Sequence, residues 1–438
     1  MDAYTTNEPV YALATPYAPS AIAVVRTSGD GVIEMLARAF SGRRRLISAG
    51  SGTLVHGVLK DSSGAPVDEV VLAVWREGHG YTGEEAVEIN AHGSLRGLDR
   101  IFRLLEELGF RKAKKGEFTY RAFMHGRLDL TQAEAVEELI SAKSEQVQAS
   151  ALERLEGSLK KRLLSIKERL LIMSASLEVQ LDYAEDEIPE DWVMPADELN
   201  EIITELRRIR ATYDASSLWR EGAKVVLAGE TNAGKSSLFN ILTKEERAIV
   251  SSVRGTTRDY LEADTMIHGI PVRLYDTAGL RESDDEIERE GIRRSEKLIS
   301  SADLVLYLVA PGDREEIKWD TPTITVRTKS DISREEGLSI SVRSGEGLEE
   351  LIDEIKRVLT AGKGNFSSSD VIIDSERQKD ALDRLISQLE FILSHGDESY
   401  DIIALFFQSA LSVLGEITGE VTSEELLDTL FSNFCLGK

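Results

Sequence analysis

The stretch GETNAGKS, residues 229–236, decides the fold of the middle of the chain. It follows the apolar run KVVLA and precedes the helical run SSLFNILTKE, which is the strand–loop–helix context of the phosphate-binding pattern G-x-x-x-x-G-K-[ST]. In such a loop backbone N–H groups wrap the phosphates, a lysine supplies positive charge and a hydroxyl ligates Mg²⁺. The predicted contacts are Asn232, Ala233, Gly234, Lys235 (the charge), Ser236 (the Mg²⁺ ligand) and Ser237.

Two further motifs follow strands of the same block. In DTAG, residues 276–279, Asp276 can hold Mg²⁺ or its water, and the Gly279 N–H can meet the terminal phosphate. In TKSD, residues 328–331, the Asp331 carboxylate can accept hydrogen bonds from N1–H and the 2-amino group of guanine, whereas adenine would leave that charge unpaired. The remaining predicted nucleotide contacts are Thr277, Ala278, Thr328, Lys329 and, in the weaker motif SVR, Ser341, Val342 and Arg343.

The guanine motif usually begins with asparagine, and here it begins with Thr328. Because threonine is shorter than asparagine, we expect it to hold this loop less firmly, which predicts weaker guanine-nucleotide affinity. The segments between ADLVLYLVA and PTITV, and between TKSD and LSISV, are also shorter than the dozen or so residues of a helical crossover. We therefore expect one or two of the standard helices of this domain to be reduced to a turn.

The chain is long enough for two or three domains, and its residue pattern changes three times along the sequence. Short β-like runs alternate with helical runs over residues 1–118, which predicts an α+β domain. Residues 119–218 and 369–438 are helical in pattern and flank a block at 219–368 with buried parallel-strand character, so a P-loop domain with a mostly parallel sheet is inserted in a helical domain. Thr131 and Glu134 predict a capping box at the start of a helix. Gly157 predicts the break between two antiparallel helices, and GKGNFSSSD at 362–370 predicts a linker.

Composition narrows the class of protein. The net charge of −25 argues against a protein that grips nucleic acid by bulk electrostatics. The locally basic run at 111–127 is most simply a solvated surface turn. The single cysteine, Cys435, excludes an intrachain disulfide and fits a reducing cytoplasm, and we expect neither a signal peptide nor a membrane-spanning run.

The residue after DTAG is Leu280, which cannot orient the attacking water as a glutamine at this place does in many GTPases. Three parts of the sequence could take over the role of that glutamine: Asn232, the segment GTTRD at 255–259, and the acidic run at 282–290. A monovalent cation at Asn232 would neutralise developing charge. The alternatives are that Asn232 braces its own loop and that the acidic residues form a solvated helix face.

The whole chain resembles the MnmE (TrmE) family of tRNA modification GTPases. The resemblance rests on VVRTSG, YTGEEAVEINAHG, GEFTYRAFMHGRLDLTQAEA, GETNAGKSSLFN, GTTRD, DTAGLRE and the terminal FCLGK. It implies K⁺ held by Asn232, Ser251, Val253 and Thr256, Mg²⁺ at Ser236 and Thr257, and Glu288 orienting water, with Lys235 and Gly279 also catalytic. It adds Ser252, Arg254 and Gly255 to the GTP contacts, and it implies a homodimer whose G domains pair across their switch loops.

The resemblance also implies that the N-terminal domain binds a reduced folate, 5-formyl- or methylene-tetrahydrofolate. The matching residues are Arg26, Glu88, Arg127 (where the family often has lysine) and Lys438. A pterin shows the same 2-amino-4-oxo edge as guanine, so one buried carboxylate, Glu88, could recognise it. From the residues alone, Arg26 and Glu88 are more simply a strand-end ion pair, and Cys435 is more simply inert.

The family acts with MnmG, an FAD- and NADH-using partner. Together, as a heterotetramer, they add a carboxymethylaminomethyl or aminomethyl group to C5 of the wobble uridine of certain tRNAs, with tRNA bound mainly through the partner. One alternative is a regulatory GTPase without modification chemistry, such as a ribosome-assembly factor. Another is a helical dimerisation scaffold with a degenerate site, which the intact GETNAGKS and DTAG motifs disfavour.

Overall fold

The computed structural model describes the chain apart from residues 1–3, 5, 183–191, 246–260, 277–295, 314–318, 334–335, 362–371, 397, 436 and 438. It divides into two compact units. The first comprises residues 1–140, 153–200 and 384–438, and the second residues 141–152 and 201–383. The predicted domain boundaries at 118, 218 and 368 remain predictions.

A six-stranded mixed sheet organises the N-terminal part of the first unit. Its spatial order is β3-β4-β5-β2-β1-β6, antiparallel except for the β1–β6 pair. The strands are β1 (Val10–Leu13), β2 (Ser20–Ser28), β3 (Thr53–Lys60), β4 (Pro66–Trp75), β5 (Ala86–Gly93) and β6 (Arg111–Lys112). The helices are α1 (Val32–Ala39), α2 (Arg43–Ser48), α3 (Leu95–Glu107) and α4 (Glu117–Met124). The predicted α+β domain is confirmed.

The core of this part lies between one sheet face and α1 to α3. Alternate residues of β2 point inward, so Ala23 and Val25 are fully buried. Leu98, Ile101 and Leu105 repeat at helical spacing on α3 and pack into the same cluster.

Four helices follow in sequence: α5 (Leu130–Ser141), α6 (Glu145–Leu155), α7 (Ser158–Asp182) and α8 (Ala196–Glu221). The predicted break at Gly157 is confirmed, since this residue has φ 86°. A further break before Glu145, where Ser144 Oγ accepts from the Val147 N–H at 3.3 Å, was not predicted.

The predicted capping box at Thr131 and Glu134 is wrong. Asp129 Oδ1 accepts from the Gln132 N–H at 2.9 Å, and Gln132 Oε1 accepts from the Asp129 N–H at 3.0 Å. The reciprocal pair that satisfies the orphan N–H groups therefore lies two residues earlier. Thr131 instead donates its hydroxyl to Asp129 Oδ1 at 2.6 Å.

The second unit contains a five-stranded sheet of order β11-β10-β7-β9-β8. Its strands are β7 (Ala223–Gly229), β8 (Leu261–Ile267), β9 (Ile270–Asp276), β10 (Leu304–Val309) and β11 (Thr323–Arg327), and only β8 is antiparallel to its neighbour. Helices α9 (Lys235–Glu245) and α10 (Leu348–Thr360) pack on one face, and a helical segment at 296–300 packs on the other. This confirms a P-loop domain with a mostly parallel sheet.

The connections on the β10–β11 side are short, as expected. Residues 310–313, 319–322, 328–333 and 336–340, the described parts of the two connections, contain no helix. A sixth strand is reduced to a single bridge between Arg327 and Ser339.

The chain ends in helices α11 (Glu376–Ser394), α12 (Tyr400–Thr418) and α13 (Glu424–Ser432). By length and composition α12 could cross a membrane, but half of that apolar stretch is buried inside the protein. Such a helix is also typical of a protein core.

Candidate nucleotide and polar sites

The phosphate loop begins where the buried strand β7 ends. Gly229 has φ 140°, and a Cβ there would lie 2.3 Å from the Leu308 carbonyl oxygen, so the position requires glycine. Asn232 (φ 67°) and Gly234 (φ 97°) are both left-handed and turn the loop back towards α9. The loop thus has the shape that presents backbone N–H groups to an anion.

Lys235 opens α9, and its side chain folds back over this loop. Its Nζ donates to the carbonyl oxygens of Gly229 at 3.0 Å and Glu230 at 2.7 Å. The side chain is buried, so its positive charge is held against the loop that is predicted to bind the phosphates.

Ser236 and Asp276 come together at the carboxyl ends of β7 and β9. The Ser236 hydroxyl donates to Asp276 Oδ2 at 2.7 Å, and Asp276 is fully buried. Residue 276 is opposite Leu227 in the parallel register, so strand pairing places it beside the phosphate loop. A hydroxyl and a carboxylate are hard oxygen donors of the type Mg²⁺ prefers, so the pair fits the predicted metal.

Asp331, the predicted guanine contact, is oriented by the SVR motif. Ser341, fully buried, donates its hydroxyl to Asp331 Oδ1 at 2.9 Å and accepts from the Ser344 N–H at 3.2 Å. Lys329 has φ 60°, and the neighbouring Ser330 N–H donates to the Ile340 carbonyl at 3.1 Å. The structure therefore places the TKSD and SVR motifs in contact. Ser341 orients the Asp331 carboxylate, a role that the sequence only weakly indicated.

Thr328 is buried but forms no hydrogen bond to the phosphate loop. Its N–H donates to the Val309 carbonyl at 2.9 Å, and its hydroxyl reaches the same oxygen at 3.4 Å. Its Cβ and Cγ2 lie 3.9 Å from where a Cβ on Gly234 would be. The Thr328 side chain thus faces Gly234 with carbon atoms, which agrees with the predicted weaker brace.

Asn232 is exposed, and its side-chain amide has no hydrogen-bond partner in the described part of the chain. The alternative that this amide braces the loop backbone is therefore not observed. The other predicted switch and catalytic residues lie outside the described residues: Ser251, Ser252, Val253, Arg254, Gly255, Thr256, Thr257, Thr277, Ala278, Gly279 and Glu288.

Arg26 and Glu88 form a second polar site in the N-terminal sheet. They are direct neighbours on β2 and β5, and Arg26 Nε donates to Glu88 Oε1 at 2.8 Å. The predicted ion pair is confirmed, but Glu88 is not buried, since 29% of its side chain is exposed. The C-terminal tail joins this site, because Arg26 Nη1 donates to the Gly437 carbonyl at 3.4 Å.

Arg127 lies at the loop formed by residues 78–84. Its Nη1 reaches the Gly78 carbonyl at 3.5 Å, and its Cγ packs 3.1 Å from where a Cβ on Gly83 would be. The same loop contributes Tyr81, whose ring lies under the Arg26 guanidinium at 5.4 Å. One loop thus lies against both predicted arginines, Arg26 and Arg127, while the third predicted cation, Lys438, lies outside the described residues.

The basic run at 111–127 is not a solvated turn, and that interpretation is wrong. Arg121 is fully buried and donates to Glu84 Oε2 and to Glu117 Oε1, each at 2.8 Å. Arg111 also donates to Glu117, at 2.7 Å. Burial tends to raise the pKa of Glu117, but hydrogen bonds from Arg111, the Lys114 N–H and Arg121 outweigh it and lower the pKa. Sequence reasoning missed this network because Glu84 lies far along the chain.

Two family models together match almost the whole chain. "GTP-binding protein TrmE N-terminus" matches residues 9–127, and "MnmE helical domain" matches residues 130–435. Proteins named tRNA modification GTPase MnmE are similar along their full lengths. The one from Treponema denticola is 41% identical over 467 positions, covering 99% of each chain. That from Aquifex aeolicus is 41% identical over 458 positions (99% and 100%), and that from Thermus thermophilus 40% over 446 (99% of each).

The Treponema denticola alignment spans 467 positions and this chain has 438 residues, so at least 29 of those positions have no residue here.

Proposed function

The chain belongs to the MnmE family of tRNA modification GTPases, and from that premise we propose that it couples GTP hydrolysis to chemical modification of tRNA in the cytoplasm. It is a GTP hydrolase. The observation that carries the proposal is the phosphate site, where a glycine-dependent loop, a buried lysine and the Ser236–Asp276 pair meet at the ends of two parallel strands.

Each described residue has a physical task in this site. The loop N–H groups and Lys235 hold the β- and γ-phosphates, and Ser236 with Asp276 would hold Mg²⁺, which neutralises phosphate charge when bound. Asp331, oriented by Ser341, accepts from the base edge and selects guanine. Catalysis then depends on positioning and on electrostatic stabilisation.

Hydrolysis depends on K⁺ in our proposal. Among the residues that the structure describes, Asn232 is the proposed K⁺ ligand, and Ser251, Val253 and Thr256 would complete the K⁺ site. Thr257 would be a further ligand of Mg²⁺. The exposed Asn232 amide, which braces no described residue, supports this assignment. Glu288 orients the attacking water in place of the glutamine that Leu280 replaces. Two G domains of a homodimer pair across their switch loops as the K⁺ site forms.

The N-terminal domain binds a reduced folate that donates the one-carbon unit. Arg26, Glu88, Arg127 and Lys438 are the proposed contacts. The polar Arg26–Glu88 pair beside the C-terminal tail supports this role. An FAD-dependent partner, MnmG, completes the reaction, which adds a carboxymethylaminomethyl or aminomethyl group to C5 of the wobble uridine. The net charge of −25 agrees with tRNA binding mainly through the partner.

The test is GTP hydrolysis by the purified chain in KCl and in NaCl at equal ionic strength. We expect a large excess in KCl that Asn232→Ala abolishes. Asn240→Ala is the matched control, because Asn240 is an exposed amide on α9 of the same domain. Equal rates in the two salts would overturn the K⁺ assignment, and a partner-supplied residue would then have to activate the water.

The modification chemistry needs its own test. The chain is incubated with the FAD-dependent partner, NADH, a methylene-type folate, glycine or ammonium as the nitrogen source, GTP, Mg²⁺, K⁺ and undermodified tRNA, and the wobble uridine is analysed by mass spectrometry. We expect the modified base only when all components are present. Modification that proceeds without this chain or without folate would remove the proposed role.

A further inference from the structure

The solvent-facing side of helix α7 is apolar. The helix packs against α12, and Leu163, Leu170 and Leu177 are buried on its inner side. On the opposite side five residues are exposed and form what we call the outer stripe: Leu164, Leu171, Ile172, Ala175 and Val179. Ile172 is 66% exposed and Leu171 46%. The outer side of a surface helix normally carries charged and polar residues, so the outer stripe marks a contact with another chain.

The outer stripe is continuous along the middle of the helix. Its members are separated by three, four or seven residues, apart from the neighbours Leu171 and Ile172, so they share one face. Residues 170–177, LLIMSASL, include no charged side chain. Glu168 also lies on this face, beside the small Ala175 one helical repeat along. The stripe from Leu164 to Val179 is about 22 Å long.

Charge along α7 is arranged against the helix dipole. Residues 158–169 contain five Lys/Arg and one Glu, a net charge of +4, and residues 170–182 contain two acidic residues and no Lys or Arg, a net charge of −2. A lone helix prefers the reverse, anions at its N-terminus and cations at its C-terminus. Three of the basic residues have carboxylate partners within the chain: Lys160, Lys167 and Arg169. Lys161 and Glu178 are exposed towards the two ends of the stripe.

This charge pattern selects the occupant of the stripe. A partner surface with one sign of charge would meet a like charge at one end of the helix. A second copy of α7 that runs antiparallel places the basic half of each helix against the acidic half of the other, which also opposes the two helix dipoles. The face is therefore complementary to itself.

We propose that the outer stripe of α7 pairs with the outer stripe of a second copy, antiparallel, about a twofold axis between Leu171 and Ile172. Leu164 then lies opposite Val179 of the second copy, and Glu168 lies opposite Ala175, whose small side chain leaves room for it. Each contact occurs twice, as twofold symmetry requires. This contact needs no nucleotide, and it is separate from the proposed K⁺-dependent pairing of G domains across their switch loops.

The expected association is weak. A contact about 22 Å long between helices about 10 Å wide belongs to the small class of interfaces that form reversible complexes. We therefore expect a dissociation constant in the micromolar range for the nucleotide-free protein, measured by sedimentation velocity over a dilution series.

Cysteine crosslinking tests the register. The background is Cys435→Ser, because Cys435 is the single cysteine and is exposed. Ile172→Cys lies beside the axis and should be joined to its copy by a short bismaleimide. Leu164→Cys alone should not be, because its copies lie about 22 Å apart along the pair, whereas a mixture of Leu164→Cys and Val179→Cys proteins should crosslink. Leu405→Cys, 63% exposed on α12, is the matched control and should not crosslink.

Charge substitutions test the energetics. Leu171→Glu buries an unpaired carboxylate in the contact and should weaken association at least about thirty-fold, whereas Leu405→Glu adds the same charge on α12 and should leave it unchanged. Leu164→Glu and Val179→Lys should each weaken self-association. An equimolar mixture of these two proteins should associate more tightly than either alone, because only the mixed pair places Glu opposite Lys.

The mixture also separates a lost contact from a damaged fold, since a misfolded variant would not be rescued by its counterpart. Absence of a crosslink in the Ile172→Cys protein, no gain in the mixture, or a wild type that is monomeric at about 100 μM without nucleotide overturns the inference. Self-association that survives Leu171→Glu while binding to the FAD-dependent partner is lost would assign the stripe to that partner and overturn it as well. None of these results bears on GTP hydrolysis or its dependence on K⁺, which the comparison of KCl and NaCl decides separately.

Discussion

Replacing Thr328 by asparagine should tighten binding of GDP. The Thr328 methyl group lies 3.9 Å from the position of a Cβ on Gly234, and among the described residues its hydroxyl donates to the Val309 carbonyl oxygen, at 3.4 Å. An asparagine places its amide atoms one bond beyond Cγ, which is about 1 Å further from Cβ. We expect this added reach to let the amide donate a hydrogen bond to the phosphate-loop backbone.

The magnitude follows from one added hydrogen bond at a buried position. A net contribution of about 0.5–1.5 kcal/mol corresponds to roughly two- to twelve-fold tighter binding. The lost hydroxyl bond offsets little of this, because at 3.4 Å it is long and weak. We therefore expect a gain of about five-fold in GDP affinity.

The assay is titration of a fluorescent GDP analogue in the presence of Mg²⁺, with stopped-flow measurement of dissociation. The gain should appear as slower dissociation, since a brace stabilises the bound loop. Thr328→Val keeps the shape but removes the hydroxyl, and should change the affinity little. Unchanged or weaker binding by a Thr328→Asn protein with a normal melting temperature would refute the argument that a missing brace limits affinity.

Three further changes test the described geometry. Gly229→Ala should abolish nucleotide binding, because its Cβ would lie 2.3 Å from a carbonyl oxygen; Gly64→Ala shares a positive φ but meets nothing within 4 Å, and should leave GTP affinity unchanged. Asp276→Asn should weaken Mg²⁺-dependent GTP binding at least about ten-fold in a Mg²⁺ titration, and an unchanged titration would remove Asp276 from the metal site. Glu117→Gln should lower the melting temperature at neutral pH. Because the folded-state pKa of Glu117 lies below its ordinary value of 4.5, its contribution is present above pH 4.5 and is lost as the pH falls through the lowered pKa, so the two melting temperatures should converge in acid. A constant difference at every pH would contradict that sign.

Some errors of sequence interpretation were local. Thr131 and Glu134 fit a capping box, yet Asp129 and Gln132 form it, because the Asp129 carboxylate accepts from the Gln132 N–H and the Gln132 side chain accepts from the Asp129 N–H. A pattern of residue types does not decide between two overlapping candidates of similar strength. The cap geometry decides.

Other errors arose from contacts between distant parts of the chain. The basic run at 111–127 was predicted to be solvated, but Arg121 is buried because Glu84, thirty-seven residues away, supplies a charge partner. Tyr81 and Gly437 were not singled out as neighbours of Arg26, and only the folded chain brings the loop and the tail to the same strand end.

The sequence by itself determined the P-loop domain, its mostly parallel sheet, the α+β domain before it and the family. These follow from residues that act within a few positions of each other: glycines that permit left-handed turns, a lysine and a hydroxyl after the loop, and apolar repeats of period two or near four. Only the tertiary structure decided that Ser236 contacts Asp276, that Ser341 orients Asp331, and that the Tyr81 ring lies under the Arg26 guanidinium. Strand register and packing set those distances. Hydrogen-bonding groups and buried charges need partners, and the position of a residue in the sequence does not show which distant residue is its partner.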